Sequence, residues 1–335
     1  MPATIGDVAR LAGVGRGTVS RVLNDRPNVD PGTRERVQRA IAELDFVPSA
    51  TARRLSLGRT QTIVVVGPFL TRPSIVERLA GIGSALAAAG LDAISTSVES
   101  LDRRAVVIHD AARPERADGL IIIHIAPTSD EADRIMSSGM PCVLIDAYHR
   151  RLPRVVVDDV QGGHLAAQHL LELGHRRIAF IGDVPLPGFG FSSTRLRLRG
   201  VVRTLRDADM ELPEARIALG EHSRAGARAS TLRLLDGPLP PTAIIAASDT
   251  EAMGVLEAAR IRGLRVPEHL SVIGYDDIDV ADFIGLTTVR QPLFETGIRA
   301  VHRLQALIGG GDPRPLREVL PVELVIRSTT GRAAE

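Results

Sequence analysis

The sequence predicts an N-terminal all-α helix-turn-helix head followed by an α/β body of two doubly wound parallel-sheet lobes. Three observations predict it: small and apolar residues fall at helix-pair offsets within residues 4–23, strand-length apolar runs alternate with helical patterns from residue 62 onward, and charge is divided between the two parts. Residues 1–60 hold ten arginines against six acids, a net of +4, while the rest of the 335-residue chain carries −3. A basic module in front of a mildly acidic one makes nucleic acid the first partner to consider.

The first helix is read from TIGDVARLAG. Thr4 is a suitable N-cap, with Asp7 three residues on in capping-box position. Ile5, Val8, Ala9 and Ala12 then share one face, and Ala9 is small enough to admit a crossing helix. Gly13 follows where the chain must turn through left-handed backbone. Val14, Val19, Val22 and Leu23 resume the apolar stripe, leaving Arg16, Gly17, Thr18, Ser20, Arg21 and Asn24 on the other faces, rich in donors. A third helix opens at Asp30-Pro31, in the order of cap and first turn, and contributes Val37, Ile41 and Leu44 to a shared core. Residues 48–58 read as a short helix capped by Ser49 and stopped by Gly58, below the length at which an isolated helix is stable in water.

The body carries eight apolar runs: TIVVVGP, LDAISTSV, GLIIIHI, PCVLIDA, RVVVD, RIAFIGD, TAIIAAS and LSVIGYDD. Continuous apolar strands separated by helices imply parallel sheets covered on both faces. Eight strands suffice for two such units, with the chain crossing between them near residues 155–162 and the late segments TTVRQP and VLPVELVIR returning across the division. Two lobes joined by several crossovers make a hinge-bending ligand trap whose ligand lies beyond the carboxyl ends of the strands. Asp146 and Asp276 close buried strands, where a carboxylate faces a cleft or a satisfied network. Asp249 follows the TAIIAAS run and reads equally as a helix N-cap. Of Arg195, Arg197 and Arg199, alternating at the start of a helix, at most two can reach the cleft.

Other function classes find little support. No apolar run reaches the ~18 residues that span a bilayer, and the N-terminus lacks the apolar core of a secretory signal, so a cytoplasmic protein with no membrane association is expected. Cys142, the one cysteine, sits in an apolar strand run and reads as a buried thiol. There is no P-loop, GIGSALAAAG lies within a helical pattern rather than after a strand, His164 and His169 are spaced wrongly for one helix face, and the adjacent Asp276 and Asp277 point opposite ways. Neither an enzyme nor a metal or cofactor is expected.

The run from Thr4 to Gly58, including TVSRVLND, TRERVQRAIAELDFVPS and TARRL, resembles the DNA-binding head of the lactose-repressor (LacI/GalR) family, and the likeness continues to the C-terminus. The resemblance implies a helix-turn-helix domain at 1–47, a hinge segment at 48–60 and an effector-binding and dimerisation body of periplasmic-binding-protein type at 61–335. It places Arg16, Gly17 and Arg21 at base-reading positions in the major groove. Thr4, Thr18, Ser20, Asn24 and Thr33 join the DNA-contacting set, the last four on phosphates, and in the hinge so do Ser49, Ala52 and Arg53, with Leu55 wedging into the minor groove. It assigns effector contacts to Asp146, Ser193, Arg197, His222, Ser248 and Asp276. Two departures stand out: Gly15 occupies the place of a capping serine, and the positions at which relatives stack an aromatic ring on a sugar hold Val157, His222 and Leu293. The implied function is that of a dimeric regulator, expected to be a repressor, whose affinity for a palindromic double-stranded operator is set by a small effector, with a carbohydrate as the first expectation. The rival is a cytoplasmic sugar-binding protein with no specific DNA function.

Overall fold

The computed structural model describes residues 3–23, 26–46, 59–184, 188–190 and 193–333. The chain divides into two compact units, one ending at Gln61 and one beginning at Thr62. In the first, helices α1 (Ile5–Ala12), α2 (Arg16–Leu23) and α3 (Pro31–Glu43) enclose a core of Val8, Ala9, Ala12, Val19, Val22, Val37 and Ala40. The Thr4 side chain accepts from the Asp7 backbone N–H at 3.3 Å while the Asp7 carboxylate accepts from the Thr4 N–H at 2.9 Å, closing a reciprocal cap. Gly13 ends α1 at φ 67°, and the Val14 N–H reaches back to the Ala9 carbonyl at 3.0 Å. The carbonyl of Gly15 accepts from the N–H groups of Thr18 and Val19, so α2 starts there with no side-chain cap. Asp30 caps α3 by accepting from the Thr33 N–H at 3.0 Å, with Pro31 in the first turn.

Among the described residues the second unit has two six-stranded sheets. The first lobe is all parallel and comprises β1 (Thr62–Gly67), β2 (Asp92–Ser97), β3 (Gly119–Ile123), β4 (Cys142–Ile145), β5 (Arg154–Val157) and β11 (Arg317–Leu320), in the order β11-β5-β4-β3-β1-β2. The second comprises β6 (Ile178–Asp183), β7 (Ile217–Gly220), β8 (Ala243–Ala246), β9 (Ser271–Asp276), β10 (Thr287–Arg290) and β12 (Glu323–Val325), in the order β12-β10-β9-β8-β6-β7, parallel except for the β10–β12 pair. The chain crosses between lobes at Asp158, at Gln291-Pro292 and at Pro321-Val322. Strands β1, β3, β4, β8 and β9 are buried along their whole length. The expectation of buried apolar strands fails for β2, which is largely exposed: it is the sheet edge, and its Asp-Ala-Ile-Ser-Thr-Ser composition suits one wet face.

Two helix crossings fix the side chains that matter later. Helix α4 (Pro73–Ala88) packs on α12 (Leu293–Ile308) so closely that a Cβ on Gly81 would lie 2.0 Å from the Phe294 carbonyl oxygen, and one on Gly297 2.3 Å from that of Arg78. Helix α7 (Asp159–Glu172) meets α8 (Ser193–Asp207) in the same way, with Gly163 against the Arg197 carbonyl and Gly200 against that of Val160. Backbone-to-backbone contact of this kind admits only glycine, and it holds Arg78 and Arg197 at fixed heights along their helices.

Candidate functional site

In the first unit Arg16, Gly17 and Arg21 are exposed along α2, as is Thr4 at the start of α1, while Thr18, Ser20 and Thr33 are half-buried. The Arg16 guanidinium folds back over Gly6, within 3.0 Å of where a Cβ would stand, and that of Arg21 lies 4.0 Å from the vacant Cβ position of Gly17. The Thr33 hydroxyl accepts from Arg36 at 3.1 Å. The helix therefore presents two guanidinium groups and a gap between them, a shape suited to base edges in a major groove. Asn24, Ser49, Ala52, Arg53 and Leu55 lie outside the described residues.

In the second unit the carboxyl ends of the strands meet across the cleft, as expected of open parallel sheets. The first lobe contributes Arg72, Ser74, Arg78 and His124 to a small cavity of 40 Å³, and the second contributes Asp183, Arg197, His222, Ser248 and Asp276, with Ser193 and Thr194 at the start of α8. Gln291, in the second crossover, completes it. No aromatic side chain lines it among the described residues.

These groups form one continuous polar chain. His124 and Arg78 both reach the Asp146 Oδ2, the first at 3.4 Å and the second in a short ion pair. Arg78 also donates to the Gln291 carbonyl at 3.1 Å, and the Gln291 amide donates to Asp276. Asp276 stands 3.8 Å from Arg197, whose Nε donates to Asp159 at 2.8 Å and whose plane lies 3.7 Å over the Tyr275 ring. The chain starts in the first lobe, passes through a crossover, and ends in the second.

Electrostatics sorts these groups. Burial works against the charge of Arg197, but Asp159 beside it, then Tyr275 and Asp276, keep the guanidinium more firmly protonated than usual. Burial also opposes ionisation of Asp146, and the Arg78 guanidinium overcomes it, holding the carboxyl below its ordinary range. Burial wins at Asp276, raised to about 6 although Arg197 and Arg78 pull the other way. Burial, assisted by Arg72, lowers His222 to about 4, so this imidazole is neutral at pH 7. Ser248 is the N-cap of helix α10 (Asp249–Ile261), accepting from the Glu251 N–H at 3.2 Å and donating to its carboxylate at 2.8 Å. Asp249 is thus not the cap: fully buried, it accepts from the Ile278 N–H at 2.9 Å and the Thr288 hydroxyl at 2.6 Å, bracing the turn after β9.

Of the six effector positions read from sequence, Ser193, Arg197, His222, Ser248 and Asp276 line the cavity, and Asp146 lies behind Arg78. Sequence reading missed Arg72, Arg78, His124, Asp183 and Gln291. The signal available for His124 was its place just after GLIII, a buried strand; Arg78 lies inside a helical pattern and carries no local mark. Val157 is buried at the end of β5 and Leu293 at the start of α12, neither on the cavity wall. Among the described residues no helix is long and apolar enough to cross a membrane, and no three His, Cys, Asp or Glu side chains are grouped to hold a metal.

Comparison with known proteins places both units. Residues 4–49 match the family model for bacterial regulatory proteins of the lacI family, and residues 167–330 match that for a periplasmic binding protein-like domain. The HTH-type transcriptional regulator DegA of Bacillus subtilis (strain 168) is 33% identical over 98% of this chain and 98% of its own. Among solved structures, a complex of the transcriptional regulator CelR with cellobiose superposes with a TM-score of 0.73 at 32% identity, covering 98% of this chain and 99% of that one. A Lac repressor dimer bound to operator and the anti-inducer ONPF superposes with a TM-score of 0.87 at 30% identity, covering 99% and 100%. With an exposed, arginine-bearing second helix in one unit and a polar cleft between two lobes in the other, the chain belongs to the LacI family, DNA-binding transcriptional regulators with a helix-turn-helix head and a periplasmic-binding-protein-like body.

Proposed function

We propose that this chain is a cytoplasmic, dimeric repressor whose grip on a palindromic operator is set by a sugar held between the lobes, and that it has no catalytic activity. The boundaries proposed for this division of labour are residues 1–47 for DNA reading, 48–60 for the hinge and 61–335 for effector binding and dimerisation. Arg16 and Arg21 read base edges, with Thr18, Ser20 and Thr33 on phosphates. A two-fold dimer follows from the size of the head, which covers half of such a site. The kinship with a cellobiose-bound regulator and an operator-bound dimer supports both partners.

The observation that carries the reading is the polar chain from His124 to Asp159. A cavity of 40 Å³ holds about three waters, too few to be displaced by a sugar ring without movement. A ligand in the cleft whose hydroxyl groups reach into this inner cavity therefore exchanges the Arg78–Gln291 and Gln291–Asp276 bonds for bonds of its own and parts the lobes there, so the ligand-bound and ligand-free lobe angles differ. Asp276 and Asp277 face apart, the latter toward Arg290 and Arg327, which supports a binding role over acid/base work.

The test selects a binding site from random duplexes with the full chain, then titrates the selected duplex at fixed salt with and without a panel of neutral and phosphorylated sugars. At least one sugar is expected to change operator affinity by about 5- to 150-fold. A chain that prefers no duplex over scrambled competitor, or whose DNA affinity no sugar changes, would overturn the reading.

A further inference from the structure

A second, larger chamber of 560 Å³ borders the same cleft at Ser193, lying against the carboxyl end of β4, the length of β5, the first residue of β11 and the first turn of α8. Three arginines line it. Arg154 and Arg317 are register partners on the parallel pair β5–β11, so two cations sit side by side on neighbouring strands. Like charges in that relation repel and destabilise the sheet unless something lies between them. Arg195 approaches from the other lobe. None of the three makes an ion pair among the described residues; the Arg154 guanidinium stacks over Tyr148 at 4.7 Å and donates to the His149 carbonyl at 3.4 Å. The two carboxylates at the chamber wall, Asp146 and Asp159, are already engaged by Arg78 and Arg197. Within the Asp146 carboxylate, Oδ1 is buried with no hydrogen-bond partner.

We propose that this chamber binds a phosphorylated sugar, its phosphoryl group held by Arg154, Arg317 and Arg195 and one of its hydroxyls donating to Asp146 Oδ1. The proposal rests on the reading of the cleft as a sugar site and narrows the ligand to its phosphate esters. A carboxylate is satisfied by a single guanidinium fork, whereas three arginines, two of them on register partners of neighbouring strands, match a dianion with three acceptor oxygens. Burial, opposed by Tyr148 and reinforced by Arg317, holds the Arg154 guanidinium below its usual pKa, so an anion between the strands relieves an existing strain on its charge. The chamber lies within the range of about 300–1,000 Å³ typical of small-molecule sites. A ligand gripped by Arg154 and Arg317 from one lobe and Arg195 from the other is sensitive to the angle between them.

Calorimetric titration of the full chain with glucose 6-phosphate, fructose 1,6-bisphosphate and ribose 5-phosphate, each beside its parent sugar and inorganic phosphate, tests this. At least one ester is expected to bind about tenfold or more tightly than its parent, as two or more charge-assisted bonds warrant. In the double variant R154Q/R317Q that preference should vanish, while the thermal midpoint without ligand stays level or rises because the repelling pair is gone. No ester exceeding its parent, a preference that survives in the double variant, or inorganic phosphate binding as tightly as the best ester would each overturn the proposal. A neutral sugar that shifts operator affinity while no ester is preferred would sink this inference and leave the repressor standing; no sugar of either kind shifting operator affinity would sink the repressor itself.

Discussion

Glu251 sits fully buried in the first turn of α10, its carboxylate bonded to Ser248 and its pKa pushed up to about 8 by burial, with Asp183 adding to the effect and Ser248 opposing it. Asp249 beside it is raised to about 8, again by burial first and then by Asp276. A carboxyl whose pKa is raised by folding stabilises the folded chain fully below its unfolded value and loses that contribution as pH rises through the folded value. Below about pH 6.5 the lowered pKa values of His222 and His124 act in the opposite sense, since the unfolded chain then binds protons that the folded one refuses. Between pH 7 and 8 the acids outweigh these and the three other histidines held below their ordinary range by burial, His149, His169 and His175, because an unfolded imidazole is by then mostly neutral. Stability of the second unit is expected to fall there by up to about 1.4 kcal/mol per pH unit for each proton released, and Glu251→Gln should remove about half of that slope. Thermal denaturation of wild type and variant at pH 7.0, 7.5 and 8.0 checks it; parallel curves would show that Glu251 does not titrate in this window. At this scale the sequence was legible wherever a charge closed a strand or opened a helix, as at Asp146, Asp276 and Arg197. It was silent on Arg78, whose partners stand 68 and 213 residues away and are chosen only when the chain folds.

Helix α2 shows how an element can be stabilised from outside itself. It lacks a side-chain cap, and its hold on the head comes from Val19 and Val22 buried against α1 and α3, which frees its outer face for arginine. Arg16→Ala and Arg21→Ala are each expected to relax sequence preference at one position of the operator half-site, at a cost of about 1 to 3 kcal/mol in discrimination, with effector binding unchanged. Binding-site selection with each variant decides the matter: recovery of the wild-type motif by both would remove these residues from base reading. Central strands of the body were readable because burial on both faces demands an uninterrupted apolar run, as in Ile63 to Val66 or Leu120 to Ile123. Edge strands escape that demand. Strand β7 was missed, and β2 was read as more apolar than its position requires, because an edge is defined by its neighbours and not by its own residues. The paired glycines at 81 and 297, and at 163 and 200, likewise carry meaning only as pairs, since each leaves room for the backbone of the partner helix.

For the molecule as a whole, the question is how a ligand in one unit can change affinity in another, and the second crossover supplies a candidate lever. Gln291 is the residue through which the first lobe's Arg78 and the second lobe's Asp276 share one amide, accepting from one and donating to the other. Both bonds are made between buried groups, where a bond lost without replacement costs about 1–3 kcal/mol. A ligand that parts the lobes must replace them, so the closed and open arrangements differ by the bonds Gln291 holds. Gln291→Ala leaves Arg78 and Asp276 without that link in the ligand-free state and lowers the cost of opening. The ligand should then bind more tightly to the variant. The factor by which it changes operator affinity should shrink toward one, because the lobes no longer need the ligand to part. Linkage adds an internal control, since the ratio of operator affinities with and without ligand must equal the ratio of ligand affinities with and without operator. Measuring all four affinities for wild type and Gln291→Ala gives the coupling twice over. If both ratios shrink together the crossover glutamine is part of the switch, and if ligand affinity rises while the ratios hold, the glutamine only braces the closed cleft and the coupling passes by another route.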